Sequence, residues 1–495
     1  MSKIIIIGGG VSGLSAGIFA LKSGFEVSVY EKHGVIGGNL TGWHRGEYYI
    51  DNCMHWLTGT NPNTQTYKDW EEVGMLGDGI EVEYPDRLYT YSFGDKTLSL
   101  YSDLNRLKRE MLSISPLDER EINSLISAVE TAKGVSGIYG ENYDLKFGLF
   151  KTLLKVPSLY RYHSISAKEL SERFISPFLR KFFACFLGDN FSALAVILVF
   201  ATFTGKNGGV PKGGSLAAAK RMEEKFKSLG GEVVLNKEAI KVVGGKRPTV
   251  TFKDGEVFEC DYVVITGDTK SIFKKVIDAK MPSRLENMYS DKYMKRFSSV
   301  HTAFSVEGEV PFKGDYIIDV KGSYRNIINY PYLILKEYSN EKTFAPYGKT
   351  VITAMAFTGD KKSAEYIASY SDKPLYKSIK REIARTMEEI ICEKFPPLFG
   401  KTNCIDVWTP ATYNRYTNSE IGSYMSFVLP PKYIPFKISN EVKGHKNVII
   451  ASQWLLPPGG LPNALAVGKR ATKTIEALEK FKKREFVYGK LKLTR

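Results

Sequence analysis

Hydrophobic periodicity changes several times along this chain, and each change marks an element. Lys3 to Ile7 is a β-branched run, Gly8-Gly9-Gly10-Val11-Ser12-Gly13 follows at once, and Leu14 to Ser23 carries helical spacing. A second short run, Glu26 to Tyr30, ends in Glu31. The pattern predicts strand, tight turn, helix and strand, the opening of a parallel α/β sheet. Further on, Leu88 to Ser92 alternates polar and aromatic residues before a hairpin signal at Gly94-Asp95. Helical spacing then runs from about Ser102 to Lys181, clearest at Arg106 to Leu112 and Asp118 to Lys133, with a break at Ser113 to Pro116.

The most apolar stretch is Phe191 to Phe203, shorter than the roughly 18 to 20 residues that cross a bilayer. It suits a buried helix lining an apolar cavity, or an interfacial segment dipping into lipid. After it, a Val210-Pro211-Lys212-Gly213-Gly214 turn opens a helix to about Leu229, and Gly230-Gly231 leads into a strand over Glu232 to Leu235. A hairpin turning at Asp254-Gly255 precedes a parallel strand, Asp261 to Thr266, that ends in Gly267-Asp268. Strands at Val300 to Val306 and Thr350 to Phe357 surround a helix over Leu375 to Glu393. Tyr330, Tyr332, Trp408, Tyr413, Tyr416 and Tyr424 recur there, and suit either an aromatic-lined substrate cavity or an ordinary sheet core. Finally Asn447 to Ala451 reads as a buried strand, Pro457-Pro458-Gly459-Gly460-Leu461 as a turn, and Asn463 to Phe481 as a helix.

Gly8, Gly10 and Gly13 occupy the glycine positions of GxGxxG, which serve the turn, the approach of a pyrophosphate to bare backbone, and close helix-on-strand packing. Phosphates would sit on the N–H groups at Val11 and Ser12, where the helix dipole favours anions. Glu31, followed by Lys32, stands about twenty residues on, where an acidic side chain accepts from both ribose hydroxyls.

The next residues separate FAD from NAD. Gly37-Gly38-Asn39-Leu40 carries a glycine pair soon after the acidic residue, and the chain runs on to Asp51. Here the sequence resembles the FAD-dependent amine oxidase superfamily, and within it the phytoene desaturase, carotenoid desaturase and retinol saturase branch. The resemblance rests on three blocks near residues 8 to 56, 210 to 268 and 447 to 475, and so spans nearly the whole chain. It implies a glutathione-reductase-like α/β FAD-binding domain from residues 1–60, 205–274 and 440–480. A mixed-sheet and helical substrate domain would come from 61–204 and 275–439, leaving a basic tail at 481–495.

By position, the resemblance implies that Gly38, Asn39 and Leu40 pass over the pyrophosphate and that Met54, His55 and Trp56 reach the flavin ring. Ala239 would meet the adenine, Asp268 would close the returning strand beside the cofactor, Gln453 would stand near the ribityl chain, and Gly459, Gly460 and Leu461 would face the flavin's pyrimidine end. Asn52 and Cys53 depart from the family pattern. The implied activity is hydride transfer to or from flavin N5 on carbon–carbon bonds of a long apolar polyene or isoprenoid. Saturation or isomerisation of a lipid double bond is an alternative, and a non-catalytic isoprenoid-binding protein like the GDP-dissociation inhibitors is an alternative from another class. His55 is the candidate proton carrier, because an imidazole titrates near neutrality. Arg415 and Tyr416 resemble a segment near the flavin that could hold a polar end of the substrate.

Composition alters this picture little. The 495 residues, 43% of them hydrophobic, suffice for two domains. Five scattered cysteines and six dispersed histidines form no disulfide framework or metal-ligand spacing, so no metal is expected. A net charge of +15, and the Lys482-Lys483-Arg484 tail with Phe481, Phe486, Val487 and Leu491, make an anionic membrane surface a candidate partner. No nucleic-acid module is present. The expectation is a cytoplasmic protein, soluble or peripheral to the membrane, and the sequence leaves its oligomeric state open.

Overall fold

The computed structural model describes residues 1–133, 156–292, 294–434 and 436–493, and side chains through residue 482. The α/β class expected from the sequence forms around two sheets. The first has five parallel strands in the spatial order Glu232–Val234, Glu26–Tyr30, Lys3–Ile7, Tyr262–Ile265 and Val448–Ile450. Ile4, Ile5 and Ile6 are wholly buried, as befits a parallel strand covered on both faces. Helix Val11–Lys22 leaves the end of the Lys3–Ile7 strand through the glycine turn and packs against the C-terminal helix Leu461–Leu493. A Cβ at Gly468 would lie 2.6 Å from the Ser12 carbonyl, so glycine there is what allows the two helices to approach.

The second sheet has seven strands and draws on both excursions of the chain. Lys96–Tyr101 and Arg87–Phe93 form the expected hairpin at one edge. Arg87–Phe93 pairs in parallel with Asp315–Asp319, and Tyr332–Glu337, Lys349–Gly359, Phe297–Glu307 and Thr402–Trp408 follow in antiparallel order. Strand periodicity divides its residues. Phe304, Leu333, Leu335 and Ile352 pack with Ile383, Met387 and Ile390 of helix Lys373–Lys394. Ile317, Ile334 and Met355 project to the other face, where they meet helices of the 104–204 region.

Helix Ala193–Thr204 settles the choice posed by the most apolar stretch. Ten of its twelve residues are buried, inside the core built by Glu119–Lys133 and Pro157–His163, so it is a core helix and not an interfacial one. Its two less buried residues, Ala195 and Val199, face the cavity described below. Part of the helical region expected over Ser102 to Lys181, and the side chains of Lys483, Arg484, Phe486, Val487 and Leu491, lie outside the described residues. Among the described residues no helix is long and apolar enough to cross a membrane.

Candidate functional site

The C-terminal ends of the parallel strands open into one cavity of about 540 Å³ that reaches beneath the seven-stranded sheet. It gathers residues from all three glycine-bearing blocks: Gly8, Gly10, Val11, Ser12, Glu31, Lys32, Gly38, Asn39 and Leu40 from the first; Gly267 and Asp268 from the second; and Gly459, Gly460 and Leu461 from the third. Ala239 lines the same end beside Lys237 and Glu238.

The glycine turns are held against each other by backbone. Gly37 donates to the Gly9 carbonyl at 2.8 Å, and Gly10 and Gly37 form an isolated parallel bridge. A Cβ at Gly10 would sit 3.8 Å from the Gly37 carbonyl and 3.9 Å from the Gly38 Cα, an uncrowded position inside the cleft. Gly459 and Gly460 have φ of +83° and +87°, the left-handed region open to glycine. Both helices that start at the cavity, at Val11 and at Leu461, have no acidic residue in their first turn, so nothing there opposes an anion. Glu31 is 7% exposed, and its two oxygens accept from Gly9 N at 2.8 Å and His33 N at 3.0 Å. A carboxylate has about four acceptor sites, so it can also take ribose hydroxyls. These features fit the dinucleotide that the sequence implies.

The other expected site residues differ in what they touch. Gly13 lies under the turn and not on the cavity wall; a Cβ there would meet the Gly8 carbonyl at 2.0 Å, so its role is packing alone. Asp268 lines the cavity, but its carboxylate is spent within the protein. It accepts from Lys270 N, Tyr289 Oη, Ser419 Oγ and Glu420 N, binding the 418–420 loop to the parallel sheet. Burial pushes the Asp268 carboxyl up, and these bonds offset the shift only in part. Gln453 clasps its own turn: its carbonyl accepts from Gly460 N at 2.6 Å, and its amide donates to the Tyr424 carbonyl at 3.1 Å.

Arg415 is outside the cavity, with its guanidinium 4.4 Å from the centre of the Tyr370 ring. Tyr416 does line the cavity, stacked on His33 with centroids 4.5 Å apart. Arg415 therefore does not reach the cavity, contrary to the expectation for it. Lys32 joins this clasp, donating to the Arg415 carbonyl at 2.6 Å and to Asn418 Oδ1 at 2.8 Å. Its burial pushes the ammonium below its ordinary value.

The Asn52 to Trp56 segment lies where the polar end of the cavity meets its apolar end. Met54 packs in the core of the parallel sheet, while Trp56 stacks toward Phe186 in the helical core. His55, between them, presents Nδ1 to Asp315 Oδ2 at 2.6 Å. Burial raises the Asp315 carboxyl, but the His55 and Lys336 charges outweigh it and hold it below its ordinary value. Lys336 Nζ stands 3.8 Å from Asp315 Oδ1 and donates to the Met54 carbonyl at 2.8 Å, fixing the segment's backbone.

A second histidine closes the site. His301 Nε2 meets Ser299 Oγ at 2.6 Å and Tyr413 Oη at 3.2 Å, and Tyr413 Oη donates to Asn52 Oδ1 at 2.9 Å. Burial, helped by His55, pushes His301 down to about 3, so its ring is neutral at ordinary pH. Sequence reasoning missed Asp315, Lys336 and His301. They lie on three strands of the seven-stranded sheet, and no local motif marks them. Past this junction the wall is apolar: Leu88, Phe186, Leu198, Ile317, Ile334 and Phe357 line it.

Comparison with known proteins adds three findings. A family model described as flavin containing amine oxidoreductase matches residues 11–475. 4,4'-Diaponeurosporene oxygenase of Staphylococcus aureus (strain MW2) is 20% identical over 502 residues, covering 96% of this chain and 98% of that protein. The same-named protein of Staphylococcus haemolyticus (strain JCSC1435) is 21% identical over 507 residues, covering 96% and 97%. Among solved structures, a redesigned double mutant of putrescine oxidase matches with a TM-score of 0.60 at 15% identity, covering 96% of this chain and 99% of that one. Cyclohexylamine oxidase from Brevibacterium oxydans IH-35A matches at 0.57 and 15%, covering 97% and 99%. These structural likenesses speak for the fold.

Proposed function

The chain belongs to the flavin-containing amine oxidoreductase family, and from that premise we propose that it is an FAD-dependent oxidoreductase acting on carbon–carbon bonds of a long apolar polyene or isoprenoid. The observation that carries this reading is the two-part cavity, in which a glycine-rich polar end continues into an apolar end with His55 at the junction. The adenine and ribose would lie along Ala239 and Glu31, the pyrophosphate against Gly10, Val11 and Gly38, and the pyrimidine end at Gly460 and Leu461. FAD bound there would supply the two-electron redox chemistry at its N5.

The chain's own residues do the rest. The apolar wall takes up the substrate and keeps water away from the reacting carbons. Asp315 holds Nδ1 of His55, which leaves Nε2 as the nitrogen available to take or deliver a proton at the carbon next to the one that exchanges hydride. Lys336 and the pair Tyr413 and Asn52 fix the backbone and side chains of the segment that carries His55.

Two observations favour an apolar substrate over an amine. Among the described residues, Asp315 is the one carboxylate that lines the cavity beside His55, and it is already paired with His55 and Lys336. The relatives that align over nearly full length are named for 4,4'-diaponeurosporene. The test is to purify the protein, confirm bound FAD by its yellow colour, and mix it anaerobically with polyenes, carotenoids, retinoids, unsaturated fatty acids and diamines. Bleaching by a polyene supports the reading and bleaching by an amine alone defeats it. Oxidation of a polyene by chemically reduced protein would not occur, but its saturation would set the reaction in the reducing direction.

A further inference from the structure

Tyr413, Trp408 and Trp43 connect the cavity to the outside of the protein through successive ring contacts and one hydrogen bond. Tyr413 and Tyr424 line the cavity, with ring centroids 5.7 Å apart. Behind them Trp408 donates from Nε1 to Tyr413 Oη at 3.1 Å. Trp43 then meets Trp408 edge to face, with centroids 5.1 Å apart and planes at 83°, a favourable aromatic arrangement. Trp408 and Tyr413 are buried, whereas Trp43 is only half-buried. With Ile50, Ala303 and Ile405 these rings form a small core of their own.

The inner end of this run lies where the sequence implies a flavin ring. Tyr413 Oη donates to Asn52 Oδ1 at 2.9 Å, and the Tyr424 carbonyl accepts from Gln453, which clasps Gly460. Packing alone does not call for this choice of side chains. Phenol and indole rings give up one electron readily, losing the O–H or N–H proton as they do, and here the proton has a neighbour to go to. Tyr413 Oη has His301 Nε2 at 3.2 Å, and Trp43 donates from Nε1 to Asp406 Oδ2 at 2.9 Å. Arg45 at 2.8 Å and Lys380 at 3.6 Å hold that carboxylate in place. Trp56 and Trp454 also line the cavity, but among the described residues neither is in ring contact with a second tryptophan.

We propose that Tyr413, Trp408 and Trp43 are a relay that carries a one-electron oxidising equivalent from the flavin site to the protein surface. The inference rests on the reading of the cavity as an FAD site and goes beyond it, since hydride transfer involves no step through Trp408 or Trp43. The oxidant is the light-excited, oxidised isoalloxazine, which takes one electron from Tyr413. The phenolic proton moves to His301 Nε2 and returns when Trp408 refills the ring. Trp408 recovers its electron from Trp43. In the net step the cofactor gains the electron that Trp43 loses, and the indole proton of Trp43 passes to Asp406. Oxidation thus ends at a half-buried ring and not on His55 or the apolar wall.

The test excites the FAD-loaded protein with a laser flash, without substrate or oxygen, and follows the tryptophanyl radical by its visible absorption. In the wild type the radical should outlive the excited flavin. Trp43→Phe should shorten its life severalfold, because the oxidised ring is then buried Trp408, nearer the cofactor. Trp408→Phe interrupts the run and should remove the long-lived radical. Neither residue lines the cavity and both changes keep an aromatic ring, so flavin content should hold. A yellow wild-type protein without a long-lived tryptophanyl radical overturns the relay, and that measurement stands whether or not the variants fold. A radical whose lifetime is unchanged in either variant also overturns it, since it would then sit elsewhere. A colourless protein that takes up no FAD defeats the flavin reading itself, and the relay with it.

Discussion

His55 and Asp315, 260 positions apart in the chain, meet at 2.6 Å through Nδ1 and Oδ2. One comes from a turn that follows a short strand pair of the nucleotide region and the other from a seven-stranded sheet, so the contact forms only when both are folded. It leaves the imidazole with one nitrogen for the cavity, and Lys336 holds the backbone on either side of that contact.

Asp315→Asn keeps the shape and removes the charge. Positioned acid–base groups contribute about 10²- to 10⁴-fold, so losing the orienting partner should lower kcat by about ten- to a hundredfold. FAD content should stay unchanged. A variant with full kcat would remove His55 from proton handling. The carboxyl of Asp315 lies below its ordinary value in the folded protein, so its charge stabilises the fold at neutrality, and that contribution is lost as pH falls below the ordinary carboxylate value.

His301 carries the same sign in a higher pH window. Folded, it stays neutral down to about 3, while an unfolded chain protonates it near its ordinary 6.5. Between those values the unfolded state binds the extra proton, so stability is full above the ordinary value and declines as pH falls toward the folded one. The slope should be about 1.4 kcal/mol per pH unit. Urea midpoints measured across this window should show the decline, and His301→Gln should flatten it. An unchanged slope in that variant would assign the acid sensitivity elsewhere.

Gly10 and Gly13 separate binding from packing. Gly10→Ala places a methyl in open cleft, so the melting temperature of flavin-free protein should hold while FAD affinity falls by about tenfold or more. Gly13→Ala drives a Cβ to 2.0 Å from the Gly8 carbonyl and should destabilise the protein itself by about 1–3 kcal/mol or more. Thermal melts with and without FAD distinguish the two. Equal behaviour of both variants would contradict the assigned roles.

Ala195 faces the apolar end of the cavity from helix Ala193–Thr204. Ala195→Trp should fill that end, raising KM for a polyene by about tenfold or more while the preparation stays yellow. Loss of colour would mean that the helix supports the nucleotide end as well.

Much of the nucleotide end was legible because its signals are local. A β-branched run, a glycine turn and a helix lie next to one another in sequence, and Glu31 stands at a fixed distance because strand and helix lengths fix it. The Pro458-Gly459-Gly460 turn was readable for the same reason, since φ values of +83° and +87° demand glycine where they occur. Less legible were the side chains that choose between partners. Asp268 and Gln453 stand where a cofactor contact is expected, yet their polar atoms are consumed by Ser419, Glu420, Gly460 and Tyr424. Arg415 and Tyr416 lie on the helix Pro410–Thr417, and its docking against Lys32 and His33 sets where they stand.

The sequence by itself determined the parallel sheet, its glycine turns and the order of blocks that bring a dinucleotide site together, because backbone conformation and strand or helix periodicity are encoded within a few neighbouring residues. Only the tertiary structure decided which groups surround His55. Asp315, Lys336 and His301 sit on three different strands, and their places arise from register across a sheet and from burial, which neighbours in the chain do not specify.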